Sequence, residues 1–152
     1  MIRDMLQLNI QNETATLKAV ILGTAKSLGA IPKPEDCYDP KSLQHVLKGT
    51  YPKEQDMIAE MDAVAAIFKK YDIQVFRPEI LENYNQIFTR DIAFVIDDKL
   101  IKANILPDRE NEYLAIQHVL DQINPKNIIQ LPADCHVEGG DVMPWNEYVF
   151  MG

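Results

Sequence analysis

The feature that most constrains the fold is the order of elements between Ile92 and Leu131. Ile92 to Ile96 (IAFVI) is apolar on both faces, which reads as a central strand. Asp97-Asp98-Lys99 is a tight turn. Leu100 to Ile105 returns as a second strand, so the two form a hairpin. Asp108 is placed to cap a helix. That helix runs to about Ile123, with Tyr113, Ile116, Leu120 and Ile123 on one face. Asn124-Pro125 stops it, and Ile128 to Leu131 is another strand. Repeats of a hairpin, helix and strand bury their faces against neighbours, so a partial copy at a terminus is unusual.

The pattern recurs on either side. Leu17 to Leu22 (LKAVIL) reads as a buried strand, ended by Gly23. Gly23 to Thr50 holds Gly29, Pro32, Pro34, Pro40 and Gly49 and reads mostly as loop, with one short helical turn near Ser42 to Leu47. A loop of this length in a compact domain is often functional. Pro52 opens a helix carrying Met57, Met61, Val64 and Phe68 as one apolar stripe, and Ile73 to Phe76 is the strand that follows. A third copy begins at Glu138, where Asp141 to Met143 and Tyr148 to Met151 form a hairpin around Pro144-Trp145-Asn146-Glu147. The units span about 17–77, 92–132 and, incomplete, 138–152. The whole of 1–152 reads as a single domain, as its length favours.

Composition narrows the function. The formal net charge is −8, with no cluster of Lys and Arg. Phosphate binding rests on such clusters, so nucleic acid and anionic membrane are poor partners. A cationic small substrate is compatible with the charge. Met1 to Leu8 lacks the apolar region of a signal peptide, and no apolar run is long enough to span a bilayer. The two cysteines, Cys37 and Cys135, make no disulfide framework. Together these point to a cytoplasmic protein with free thiols.

Two acidic stretches are candidates for chemistry. In Glu138-Gly139-Gly140-Asp141 the glycines allow a positive φ or a close backbone approach, so both acids can turn toward a common point. A solvated turn between strands has the same composition. The second stretch, Asn85 to Asp91, sets Asp91 at the entrance of a buried strand, and Arg109 lies at the start of the second helix. Asp91 and Glu138 both fall at junctions between repeats, which meet if the repeats close around an axis. Asp91, Glu138 and Asp141 could instead hold a hard divalent cation. The oxygens lack regular ligand spacing, and Arg90 beside Asp91 argues against a metal.

Phe88-Thr89-Arg90-Asp91, then a hairpin, then Asn104 to Arg109, then Glu138-Gly139-Gly140-Asp141-Val142 resembles the guanidine-modifying superfamily. That group includes arginine deiminases, dimethylarginine hydrolases and glycine amidinotransferases. The resemblance covers Leu17 to Gly152 in outline and is specific from Asn85 onward. It implies an α/β fold, the pentein propeller of five ββαβ units around a pseudo-fivefold axis, of which these residues form about half. It implies a cysteine thiolate that attacks the guanidinium carbon, a covalent amidino-enzyme, and a histidine as general acid and base. Carboxylates hold the planar guanidinium.

On that resemblance Asp91 grips the guanidinium. Glu138 orients the catalytic histidine and contacts substrate. Asn85, Phe88 and Arg109 sit where arginine deiminases contact the amino-acid part of the substrate, Arg109 pairing with its carboxylate. Asp141 fixes the loop carrying Glu138 through local hydrogen bonds. The implied partner is a small arginine-like guanidino compound, and no cofactor or metal is implied. The resemblance leaves open whether water or an amine accepts the amidino group.

One departure matters. The family's His-x-Asp and nucleophilic Cys come from later repeats, downstream of the Glu-Gly-Gly-Asp stretch. No His-x-Asp occurs here. His45 lies in the long loop, His118 in a helix and His136 just before Glu138, where it has the best chance of touching the site. Cys37 and Cys135 stand at the wrong places in the order. The expectation is the N-terminal part of such an enzyme, inactive by itself. Half a propeller leaves sheet edges and apolar faces exposed. Self-association is therefore expected unless the missing C-terminal half completes the ring. The alternative is a non-catalytic module that binds guanidino ligands.

Overall fold

A computed structural model describes residues 5–37 and 39–152. The strands make three small sheets. In the first, β1 (Ala19–Ile21) and β2 (Gln74–Phe76) pair in parallel, with Val20 opposite Val75. The parallel direction requires a long crossover. It contains α1 (Pro40–Leu47) and α2 (Glu54–Lys70). Among the described residues this first unit therefore has no hairpin, unlike the expected looser copy of Ile92 to Leu131. Asp39 caps α1, accepting from the Lys41 and Ser42 amides at 2.9 Å each, with Pro40 in the first turn. The cap makes this helix a full two turns, longer than the short helical turn expected. Pro52 does not open α2. Extended Lys53 is the cap residue, and the helix begins at Glu54.

The second sheet has the order β3 (Ala93–Ile96), β4 (Lys99–Lys102), β5 (Ile128–Gln130). β3 and β4 form the hairpin through Asp97-Asp98, with Asp97 at φ 49°, and β5 joins β4 in parallel. The expected central strand, Ile92 to Ile96, is thus an edge strand, and Ile92 itself ends α3 (Thr89–Ile92). Its two apolar faces are nonetheless covered. Ala93 and Val95 pack on the core, while Phe94 is buried next to Gly139.

The expected helix to Ile123 is broken into α4 (Glu112–Ala115) and α5 (Gln117–Leu120), jointed at Ile116. Asp108 is not a cap; it lies inside a 3-10 turn, Pro107–Arg109. The apolar stripe keeps its role. Ile116, Leu120 and Ile123 join Ile92 and Leu100 in the core, with Tyr113 against them. Helix propensity is weak here, and packing decides the element. The Tyr113 hydroxyl lies between the carbonyls of Ile92 (2.8 Å) and Ala103 and shares its one proton between them, tying helix to sheet.

Burial pushes the Tyr113 phenol up to about 12. A folded-state value above the ordinary 10 favours the neutral form, so this stability is complete below pH 10 and is lost as pH rises toward 12. Chemical denaturation at pH 9 and pH 11.5 should show a loss of roughly 2 kcal/mol in wild type, much reduced in Tyr113→Phe. Equal losses in both proteins would refute the assignment.

The third sheet is the hairpin of β6 (Val142–Trp145) and β7 (Tyr148–Met151), turned at Asn146 with φ 54°. Its Trp145, Tyr148, Phe150 and Met151 are exposed. An N-terminal strap links the second and third sheets. Ile10 exchanges backbone hydrogen bonds with Asp97 (2.9 and 2.7 Å), the Asn146 amide donates to Gln11 (2.7 Å), and Leu6 and Leu8 pack on the core. Among the described residues, no helix is long and apolar enough to cross a membrane.

Candidate active site

The site forms where α3 meets the Gly139–Asp141 3-10 turn. Neither Gly139 nor Gly140 has a positive φ, so of the two uses of glycine the relevant one is close approach. A Cβ on Gly139 would stand 2.1 Å from the Arg90 carbonyl oxygen and 3.1 Å from Phe94. A Cβ on Gly140 would stand 3.3 Å from Asp91 Oδ1. The two acidic stretches, 47 residues apart in sequence at Asp91 and Glu138, thus come together through backbone.

Arg90 holds the contact closed. Its Nε donates to the Gly139 carbonyl (2.7 Å) and its Nη2 to the Val142 carbonyl (2.7 Å), while Glu13 pairs with it at 2.9 Å. Asp141 contributes backbone: its amide donates to the Glu138 carbonyl at 3.0 Å and its carbonyl accepts from Gly152. No hydrogen bond forms from the Asp141 side chain, nor from that of Glu138, among the described residues. Thr89 joins α3 to the first sheet by donating to the Ile21 carbonyl at 3.0 Å.

Arg109 stands behind Asp91. Its Nη1 donates to Asp91 Oδ2 at 3.1 Å, and its Nη2 to the Phe88 carbonyl at 3.2 Å. The other side of the guanidinium meets Glu112, at 2.6 Å from Nε and 3.3 Å from Nη2. The Glu112 side chain is only 2% exposed. Burial opposes the Arg109 charge, but hydrogen bonds and charge from Glu112, then Asp91, raise its pKa above the ordinary arginine value. Burial pushes the Glu112 carboxyl up, against the pull of Arg109. In the described arrangement Arg109 is committed to protein partners. Asp91 keeps Oδ1 toward the Gly140 turn.

Asn85 and Phe88 stand on the wall of a cleft of about 630 Å³ that residues of 28–37 and 39–57 help to line. The Asn85 side chain accepts from the Ile87 amide at 3.2 Å, and the Phe88 ring is 55% exposed. His136 and Cys135 are exposed near Glu138, Cys37 is half-buried, and both cysteines are free. His45 bonds Thr50 at 3.0 Å, and His118 is exposed on α5. None of the three histidines is hydrogen-bonded to a carboxylate among the described residues. Among the described residues there is no group of three or more His, Cys, Asp or Glu that could hold a metal ion.

Sequence reading missed Arg90 as a clamp and Glu112 as a buried partner. The signal for Glu112 was its i,i+3 spacing from Arg109 at a helix start.

No family model matches this sequence, and no curated protein matches it. Solved structures do. The inosamine-phosphate amidinotransferase of Streptomyces griseus matches at TM-score 0.62 and 18% identity, over 93% of this chain and 53% of its own. SxtG, an amidinotransferase of the saxitoxin pathway from Microseira wollei, matches at 0.68 and 16%, over 90% and 54%. A dimethylarginine dimethylaminohydrolase of Pseudomonas aeruginosa, solved with citrulline, matches at 0.63 and 15%, over 91% and 51%. The chain spans about half the length of each. Over the matched part its fold is that of these amidinotransferase and dimethylarginine dimethylaminohydrolase structures.

Proposed function

We propose that these residues form the carboxylate-bearing part of an enzyme that modifies the guanidino group of arginine or a related compound, through a Cys-amidino intermediate. The observation that carries the reading is the meeting of Asp91 with the Gly139-Gly140 turn on a fold shared with guanidino-modifying enzymes. Asp91 holds the guanidinium through Oδ1, the oxygen that Arg109 leaves free. Glu138 orients the histidine and touches substrate, on a loop fixed by Arg90 and the Asp141 backbone. Arg109, held by Glu112 and the Phe88 carbonyl, steadies Asp91 and is not free for a substrate carboxylate, and Asn85 and Phe88 face the rest of the substrate. None of the cysteines and histidines of these residues is assigned the role of nucleophile or of general acid and base. The three units belong to a propeller of five, and the site requires no cofactor.

Isothermal titration with L-arginine tests this. Wild type is expected to bind and Asp91→Ala to lose at least tenfold in affinity, about 1.4 kcal/mol. Turnover should not exceed that of Glu138→Ala. Equal arginine binding by wild type and Asp91→Ala sinks the reading.

The exposed Trp145, Tyr148, Phe150 and Met151 with the free edge of their hairpin form an apolar face of the kind that associates. Sedimentation of the 152-residue chain should show dimers or larger species. Tyr148→Lys with Phe150→Glu should shift it toward monomer, and a clean wild-type monomer contradicts the expectation.

A further inference from the structure

We infer that the cleft between the 28–57 segment and Phe88 is a subsite for a bulky, partly apolar group attached to the guanidino compound, so that the ligand is larger than free arginine. The inference rests on the guanidino reading of Asp91.

Three observations carry it. The first is size. The cleft measures about 630 Å³, within the range of roughly 300–1,000 Å³ that accommodates drug-sized ligands. At about 30 Å³ per water it holds on the order of twenty waters. The roughly one dozen heavy atoms of arginine, part of which must reach Asp91, would leave much of that space wet.

The second is the lining. Phe88 and Ile31, 55% and 63% exposed, present apolar surface on its walls, and Tyr51, Met57 and Ile87 add to it. Large apolar side chains left exposed around a concavity mark a binding surface. The polar groups there are partly committed. Asp39 caps α1, Glu54 accepts from the Leu28 amide at 3.0 Å, and His45 bonds Thr50. These bonds hold the wall in shape.

The third is position. The cleft reaches Asn85 and Phe88. The Phe88 carbonyl accepts from the same Arg109 that pairs with Asp91. Phe88 thus joins the cleft to the Asp91–Arg109 pair, so a ligand whose guanidinium lies on Asp91 Oδ1 has the apolar wall beside it.

The test compares two probes by calorimetry, L-arginine and Nα-benzoyl-L-arginine amide, on wild type, Asp91→Ala and Ile31→Lys. Ile31 lies in a loop and is largely exposed, so the fold should tolerate the change; a thermal melt within about 1 °C of wild type, a small part of the ~2–4 °C expected per kcal/mol at this chain length, checks this. The benzoyl compound should bind wild type at least tenfold tighter than arginine. Ile31→Lys should remove that advantage and leave arginine unchanged, and Asp91→Ala should weaken both. Saturation-transfer NMR should put the benzoyl protons in contact with the protein only when Ile31 is present. If both probes bind wild type equally, or Ile31→Lys leaves the benzoyl advantage intact, the subsite is wrong while the guanidino reading stands. If neither probe responds to Asp91→Ala, that reading fails and the subsite fails with it.

Discussion

Gly139→Ala is expected to cost the protein at least about 3 kcal/mol, in the upper tail for single substitutions. The new methyl carbon would stand 2.1 Å from the Arg90 carbonyl oxygen and 3.1 Å from the Phe94 side chain. Both neighbours are fixed. The Arg90 carbonyl belongs to α3, and the Arg90 side chain grips the Gly139 and Val142 carbonyls from the same side. Phe94 is buried in β3. Separation therefore means pulling the Glu-Gly-Gly-Asp turn off α3 and giving up the two Arg90 bonds. Urea denaturation should show a lower midpoint with an unchanged slope. Gly140→Ala is the control. Its methyl would meet only the end of the Asp91 side chain at 3.3 Å, so it should cost well under half as much stability while displacing Asp91 and weakening arginine binding. A Gly139→Ala midpoint equal to wild type would show that the two stretches are not in contact.

That contact also shows what the sequence could and could not reveal. Periodicity identified Tyr113, Ile116, Leu120 and Ile123 as one face, because a helix on a sheet buries one stripe whatever its exact bounds. It could not show the break at Ile116, since packing rather than propensity decides continuity in short helices. The Asp97-Asp98 turn was legible from its chemistry. The edge position of β3 was not. Its second apolar face is covered by a turn 45 residues away from Phe94, at Gly139, and local pattern carries no record of such a partner. The strap from Leu6 to Asn12 was invisible for a related reason: its ties to Gln122, Asp97 and Asn146 run through backbone, which every residue carries. In the site, the acids stood out by type. The residues that position them, Arg90 and Glu112, look like ordinary surface charges until their partners are known.

Glu112→Ala should therefore be as costly as any core truncation, by about 3–5 kcal/mol. Removing one partner of a buried ion pair leaves the other charge uncompensated. The Arg109 side chain is 20% exposed, so water reaches it poorly. Without Glu112 it would retain one bond to Asp91 and one to the Phe88 carbonyl. Glu112→Gln should fall between, since an amide oxygen still accepts one N–H but carries no charge. Removing both partners distinguishes this from simple loss of volume. Arg109→Met with Glu112→Met should regain part of the stability, because the deeply buried Glu112 charge goes with its partner and only Asp91, 21% exposed, loses a cation. A double-mutant cycle should then give a coupling of at least about 1–3 kcal/mol. The same series reports on the site. In Glu112→Gln, Arg109 is freed to lean further onto Asp91 and competes with an incoming guanidinium, so arginine affinity should fall even where the fold survives. A Glu112→Ala protein that loses less than 1 kcal/mol and binds arginine as wild type does would overturn the role of this pair as the support of Asp91.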